Sequence, residues 1–148
     1  RPKVPVFMPT DIPFEIGKAA VLTEGTDVTI VATGHLVWKS LQAAEQLELE
    51  EISAEVINIH TIKPLDEEMI LKSISKTRCI VSAEEHNYLG GLGESISRLM
   101  SLNIPTPQEF VATQDTFGES GTPTELMKKY GLNSTAIINK VKKVISRK

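Results

Sequence analysis

The sequence predicts an α/β fold: a five-stranded sheet with four strands parallel and helices packed on both faces. Three observations predict it. Short apolar runs alternate with longer stretches whose apolar residues recur at helical spacing. Almost every link between consecutive runs is long enough for a helical crossover, as parallel strands require. The exception is the turn Glu24-Gly25-Thr26-Asp27, so short that the strand before it must run opposite to the strand after it.

The elements follow in order. "KAAVLTE" (18–24) is the first strand and "DVTIVAT" (27–33) the second. After the turn glycine Gly34, Leu36, Val37, Leu41, Ala44 and Leu47 fall on one face of a helix, and "SAEVINI" (53–59) is apolar enough to be buried on both sides. Pro64 stops that strand region, Asp66 has the chemistry of an N-cap, and Met69, Ile70 and Ile74 face inward from a second helix. "TRCIVSA" (77–83) gives the next strand, "GLGESISRLMSLN" the next helix and "QEFVAT" (108–113) the last strand. Two helices, "TPTELMKKYG" and "STAIINKVKKVISR", close the chain, with Gly131 suited to end the first. Ile137, Ile138, Val141, Val144 and Ile145 make the second a docked helix with a solvated basic face rather than a membrane-binding one.

Composition narrows the function classes. A chain of 148 residues with 41% apolar content fits one domain, and folding buries roughly two thirds of its unfolded surface. A net charge of −3, spread along the chain, offers no basic field for nucleic acid. No apolar run approaches the roughly 20 residues of a membrane helix, so no membrane partner is expected. The lone Cys79, in the strand-like "TRCIVSA", cannot form an intramolecular disulfide, and a reducing cytoplasm is the simplest expectation for the compartment. "NST" at 133–135 matches a glycosylation pattern but has no secretion signal beside it. Pro2, Pro5, Pro9 and Pro13 forbid helix and favour an extended strap. Residues 1–16 therefore read as an interdomain linker that starts inside a longer protein, and residues 17–148 as the domain.

The stretch "SAEEHNYLGGLGES" (82–95) concentrates three carboxylates, two of them adjacent, with an imidazole and three glycines. "GLGESI" begins like a dinucleotide fingerprint, but Ile96 replaces the third glycine and the motif sits at the third βα turn rather than the first. Gly90, Gly91 and Gly93 are explained by a sharp turn and close approach of a helix to the sheet, with a positive φ expected at Gly91. Glu84 and Glu85 would repel a phosphate from the helix N-terminus, and as neighbours on extended backbone they point opposite ways, so they are no acid–base pair. Neither "GESG" nor "GLGES" has the spacing of a nucleophilic serine elbow, and His35, His60 and His86 have no metal-ligand pattern. These histidines nevertheless all follow the carboxyl ends of parallel strands, as Asp115 does. That edge is where open α/β sheets bind ligands, so His35, His60, Glu85, His86 and Asp115 form a candidate rim, for one crevice or one interface.

Four motifs in order, "PFEIGKAAVLTEGTDVTIVATG", "AEVINIHTIKPLDEEMI", "VSAEEHNYLGGLGESI" and "DTFGESG" followed by "KKYGL", resemble the C-terminal domain of transketolase over residues 14 to about 140. They look most like the C-terminal portion of two-part transketolases. The β subunits of 2-oxo acid dehydrogenases and deoxyxylulose-phosphate synthase are relatives with the same domain. The resemblance implies a three-layer α/β/α sandwich with the first strand antiparallel at a sheet edge. It implies a parent enzyme, a homodimer, that moves two-carbon ketol units between sugar phosphates. Thiamine diphosphate and Mg²⁺ would bind there between a pyrophosphate-binding and a pyrimidine-binding domain. No catalytic, cofactor-binding or metal residue carries over onto this chain, which by itself is expected to be inactive and to support dimer assembly. The alternative expectations are a regulatory module binding an anion or small molecule at the histidine rim, or the equivalent domain of a 2-oxo acid dehydrogenase β subunit or of deoxyxylulose-phosphate synthase.

Overall fold

The computed structural model describes residues 5–10 and 12–148. The elements in chain order are β1 (Ala20–Thr23), β2 (Val28–Ala32), α1 (His35–Glu48), β3 (Ala54–Asn58) and α2 (Glu67–Thr77). They continue as β4 (Ile80–Asn87), α3 (Leu92–Leu102), β5 (Gln108–Thr113), α4 (Pro123–Lys129) and α5 (Ser134–Ile145). The five strands lie in the order β1-β3-β2-β4-β5. β2, β3, β4 and β5 are parallel, and β1 pairs antiparallel with β3 at the edge, Ala20 opposite Asn58. The short turn before β2 thus reverses the chain, but β1 passes beyond β2 to pair with β3.

Two apolar cores confirm the three layers. On one face Leu36, Val37, Ala43, Ala44 and Leu47 of α1 and Ile137, Val141 and Val144 of α5 meet the sheet; on the other, Ile70 and Ile74 of α2 and Leu92, Ile96 and Leu99 of α3 do so. All five residues of β2 and of β3 are buried, as parallel strands covered on both sides must be. Burial makes polar strand residues depend on partners. Glu55 of β3 accepts from Lys76 at 2.6 Å and from the Ser73 hydroxyl, while Thr29 bonds both Ser73 and Thr77 at 2.6 Å. Glu109 of β5 gathers Lys140, Lys143 and Arg147 from α5 and its C-terminal extension, at 2.9, 3.0 and 2.6 Å, stitching that helix to the edge strand.

Local chemistry sets the helix ends as the sequence indicates. The Asp66 carboxylate accepts from the Met69 amide and also from Ala19, tying α2 to the chain before β1. Past α4, Gly131 adopts φ 68°, with Leu132 N–H donating to the Met127 carbonyl and Gly131 N–H to that of Lys128. The open edge of β5 is partly blunted, because the Gln108 and Ala112 carbonyls accept from Arg147 and Gln114 side chains.

Two expectations need correction. The fourth strand does not end at Ala83 but runs on to Asn87, with an irregularity in its register between those residues. And Gly91 has φ −94°, an ordinary extended value; it is Gly90 that takes the left-handed φ of 75°. Residues 1–4 of the expected strap lie outside the described residues; residues 5–10 and 12–16 form neither helix nor strand.

Candidate functional site

The carboxyl ends of β2, β3, β4 and β5 converge on one edge, and because β1 is antiparallel its entering segment, residues 14–17, reaches the same edge. His35 is placed there by Gly34, whose φ of 60° and ψ of −134° turn the chain from β2 into α1. His60 follows β3, with Nδ1 3.0 Å from the Thr61 hydroxyl and the Phe14 ring against its imidazole at 4.5 Å between centroids. His86 lies on the prolonged β4, where its Nδ1–H donates to the Asn87 carbonyl at 2.8 Å.

The prolongation of β4 and the turn after it are organised by one buried carboxylate. Glu84, 1% exposed, accepts from the amides of Leu92 and Gly93, both at 2.8 Å. It thereby supplies the negative charge that the first turn of α3 favours. Glu94 reaches back to the Gly90 amide at 2.6 Å, so two carboxylates close the turn. Glu85, next along the strand, points the other way into solvent. Asn87 then clamps two loops: its amide nitrogen donates to Asp115 Oδ1 at 2.9 Å, and its own Oδ1 accepts from the Leu89 amide at 2.9 Å.

Two concavities flank the pair His35 and Glu85. One, of about 380 Å³, is lined by His35, Ile62, Glu84, Glu85, His86 and Gly90. The other, of about 700 Å³, is lined by His35, Trp38, Glu85, Thr113, Met127 and Tyr130. His35, Glu85 and His86 are thus brought together, whereas His60 and Asp115 line neither cavity. The sequence had not distinguished Glu84, the residue that holds the corner, from its exposed neighbour; nor had it marked Asn87. A sequence signal for Glu84 exists in its place just beyond the apolar "CIVSA", one strand position short of solvent.

The edge is also the apolar surface of the molecule. Among the described residues, the large apolar side chains standing exposed are Val6, Phe14, Ile16, Leu49, Ile62, Tyr88, Leu89, Leu102 and Phe117. Phe14 and Ile16 precede β1, and Ile62, Tyr88, Leu89 and Phe117 follow β3, β4 and β5, so six of the nine sit on this edge. As a donor set the edge is poor: among the described residues no three His, Cys, Asp or Glu side chains are placed to hold a metal ion. The α3 N-terminus, where a diphosphate would find free amides, is filled by Glu84. The residues present do not fit a Mg²⁺-bound diphosphate.

A five-stranded mixed sheet between helical layers, with an antiparallel edge strand and an apolar rim of this kind, defines a class of α/β domain. The family model described as transketolase, C-terminal domain, matches residues 17–137, and the chain belongs to that family. It is 43% identical over 148 residues to the 6-deoxy-6-sulfo-D-fructose transketolase subunit of Clostridium sp. (strain MSTE9), covering 100% of this chain and 46% of that protein. It is 40% identical over 129 residues to a putative transketolase C-terminal section of Methanocaldococcus jannaschii, covering 86% of this chain and 40% of that one. Among solved structures, a split-gene transketolase described as an inactive β4 tetramer superposes with a TM-score of 0.92 at 43% identity, over 97% of this chain and 47% of that one. The chain therefore spans about half the length of these relatives.

Proposed function

We propose that the chain is the C-terminal portion of a thiamine-diphosphate-dependent, transketolase-type enzyme, that it contributes no catalytic group, and that it holds subunits together through the carboxyl edge of its sheet. The observation that carries this reading is the gathering of Phe14, Ile16, Ile62, Tyr88, Leu89 and Phe117 on one edge. Large apolar side chains left exposed along one edge of a domain are the kind of surface that partner domains cover. The names of the two relatives quoted, a transketolase subunit and a transketolase C-terminal section, supply the kind of parent, and the described tetramer is a precedent for subunit association. Transfer of a two-carbon ketol unit between sugar phosphates is the activity proposed for that parent, in the cytoplasm, with residues 1–16 as the link to its neighbouring domain.

The rival, an anion-binding regulatory module, is disfavoured by charge at the cavity that His35 shares with His86, whereas the larger cavity on the other side of His35 carries Lys39 and Lys128 beside Glu85. The cavity that holds His35 and His86 also holds Glu84 and Glu85, and no lysine or arginine lines it. The deciding experiment adds this chain to the thiamine-binding remainder of its enzyme and follows ketol transfer and sedimentation together. Activity and a larger assembly should appear only in the mixture. Full activity of the remainder alone would reject the assembly role.

A further inference from the structure

Residues 5–16 precede the segment that the family model matches, and their prolines predict a stiff strap, yet the strap does not stand off the domain. Pro5, Val6, Pro9 and Pro13 are exposed, whereas Phe7 and Met8 between them are half-buried. The Phe7 ring stacks on Trp38 of α1, with 6.2 Å between centroids and 24° between planes, and packs against the apolar core under α1 and α5. Met8 covers the end of β3: Asn58, only 8% exposed, donates its side-chain amide to the Met8 sulfur at 3.4 Å. Further on, Phe14 meets His60, and Pro64 closes against Gly17, where a Cβ would lie 3.0 Å from Pro64 Cγ. The strap thus crosses the sheet edge from α1, in one helical layer, to the loop between β3 and α2.

Each contact is small on its own. One aromatic pair and one thioether acceptor hold a chain segment only where ordering that segment costs little entropy. Here it costs little, because Pro5 and Pro9 restrict the backbone on both sides of Phe7 and Met8 before any contact forms. Pro5 also walls the cavity of about 700 Å³ beside Trp38, so the strap arrives on the α1 side of the domain and the chain before it joins there. A flexible tether of twelve or so residues would let the parts it joins drift by about 20 Å. A contact at Phe7 removes most of that freedom. In an enzyme whose site forms between domains the gain is catalytic, since a misplacement of about 1 Å can cost roughly a hundredfold in rate.

We propose that residues 5–10 are a latch belonging to this domain rather than a free tether, and that Phe7 on Trp38 and Met8 on Asn58 fix the point and direction at which the preceding part of the enzyme is joined. Phe7 and Trp38 are then positioning residues: they touch no reacting group and act through the placement of the neighbouring domain. This rests on reading the chain as the C-terminal portion of a longer enzyme, and adds where the join is held. The folded unit starts at the latch, ahead of the family segment at residue 17.

The chain has one tryptophan, so Trp38 emission reads the latch directly. In this chain the heteronuclear ¹⁵N NOE at Val6, Phe7 and Met8 should match that of the sheet, not that of a loose tail, with proton contacts between the Phe7 and Trp38 rings. Phe7→Ala should lower those values, shift Trp38 emission to the red and raise the released fraction at least about tenfold, while the melting of the domain moves little. Phe7→Tyr, which keeps the ring, should restore the parent's spectra. In the complete enzyme Phe7→Ala should lower ketol transfer by the same factor at every protein concentration, because the join lies within one chain; a lost subunit contact instead recovers as concentration rises. Tail-like values at residues 6–8 of the parent, or a Phe7→Ala chain with the parent's emission, would overturn the latch. A Phe7→Ala enzyme with full activity, or one whose activity returns with concentration, would overturn the positioning role. The spectroscopic measurements need only this chain, so their failure is distinct from a failure of the mixing assay, which reads assembly.

Discussion

The carboxylate of Glu84 occupies the space into which a side chain at Gly91 would project: a Cβ built on Gly91 would lie 2.6 Å from Glu84 Oε1. Glu84 cannot swing aside without abandoning the amides of Leu92 and Gly93. Gly91 is thus required by close approach, not by its backbone angle.

The relationship predicts a strong coupling. Gly91→Ala should destabilise the chain by about 2 kcal/mol, and Glu84→Ala by a similar amount through its two unpaired amides. In the Glu84→Ala background the added methyl has room, so the double variant should be less destabilised than the sum by about 1 kcal/mol or more. His86→Ala, at an exposed rim position, should cost far less than Gly91→Val. Chemical denaturation of the four Glu84 and Gly91 forms measures the coupling; strict additivity would refute the shared-space account.

Gly34 makes the opposite case. No heavy atom lies within 4 Å of a Cβ built there, so space is not limiting. Its φ of 60° with ψ of −134° is, however, a conformation that L side chains avoid. Gly34→Ala should therefore destabilise by about 1–3 kcal/mol from backbone strain alone, with no second-site change relieving it. A melting temperature equal to that of the parent would show that the β2–α1 turn relaxes freely.

These two turns mark how far the sequence was legible. The reversal at Glu24-Gly25-Thr26-Asp27, the parallel core strands and the caps at Asp66 and Gly131 depend on local length and residue type, and each was readable. The continuation of β4 was not: Glu84, Glu85 and His86 have loop chemistry, and the strand persists because amides from the following helix satisfy a buried carboxylate. Glu109 was equally silent. Its burial is made tolerable by cations 31, 34 and 38 residues further on, which only the docking of α5 brings near. At the rim, sequence order placed the histidines on one edge but could not tell that His35 and His86 line one cavity while His60 lies tilted against Phe14.

The Glu109 cluster gives a pH dependence. Burial pushes the Glu109 carboxyl up, but hydrogen bonds and charge from Lys140 and Lys143 outweigh it and leave the pKa below the ordinary value. A carboxyl depressed in the folded state contributes stability that is fully present above its unfolded pKa of about 4.3 and is lost as pH falls through the lower folded value. Glu109→Gln should cost about 1–2 kcal/mol at pH 7, moderated because its partners are partly exposed, and progressively less below pH of about 4. An unchanged difference between parent and variant from neutral pH down to pH of about 3 would exclude the ion cluster as its source.

Cofactor binding tests the division of labour. With the α3 amides held by Glu84 and no metal-binding group of three side chains among the described residues, the chain alone should give no Mg²⁺-dependent heat with thiamine diphosphate. Titration calorimetry with and without Mg²⁺ checks this, and a micromolar, metal-dependent site would contradict it.

Substitutions at Ile62 and Leu89 separate assembly from chemistry at the edge itself. Ile62 is 43% and Leu89 47% exposed, half seated on the domain and half offered outward, and both flank the corner fixed by Glu84. Changing each to Lys leaves the two cores untouched, so the melting temperature of the isolated chain should move little, consistent with surface changes of within about 0.5 kcal/mol. If this edge meets the thiamine-binding remainder, burying two ammonium groups there should weaken that association severely, since an unpaired buried charge costs several kcal/mol. Ketol transfer should then be lost at low protein concentration and recover as the remainder and the variant are raised together, because a weakened assembly refills by mass action while a missing catalytic group does not. A concentration series of activity with sedimentation alongside reads both. Activity that stays low in a fully assembled complex would show that the edge takes part in the reaction itself, and activity equal to the parent's at every concentration would show that it takes no part in assembly.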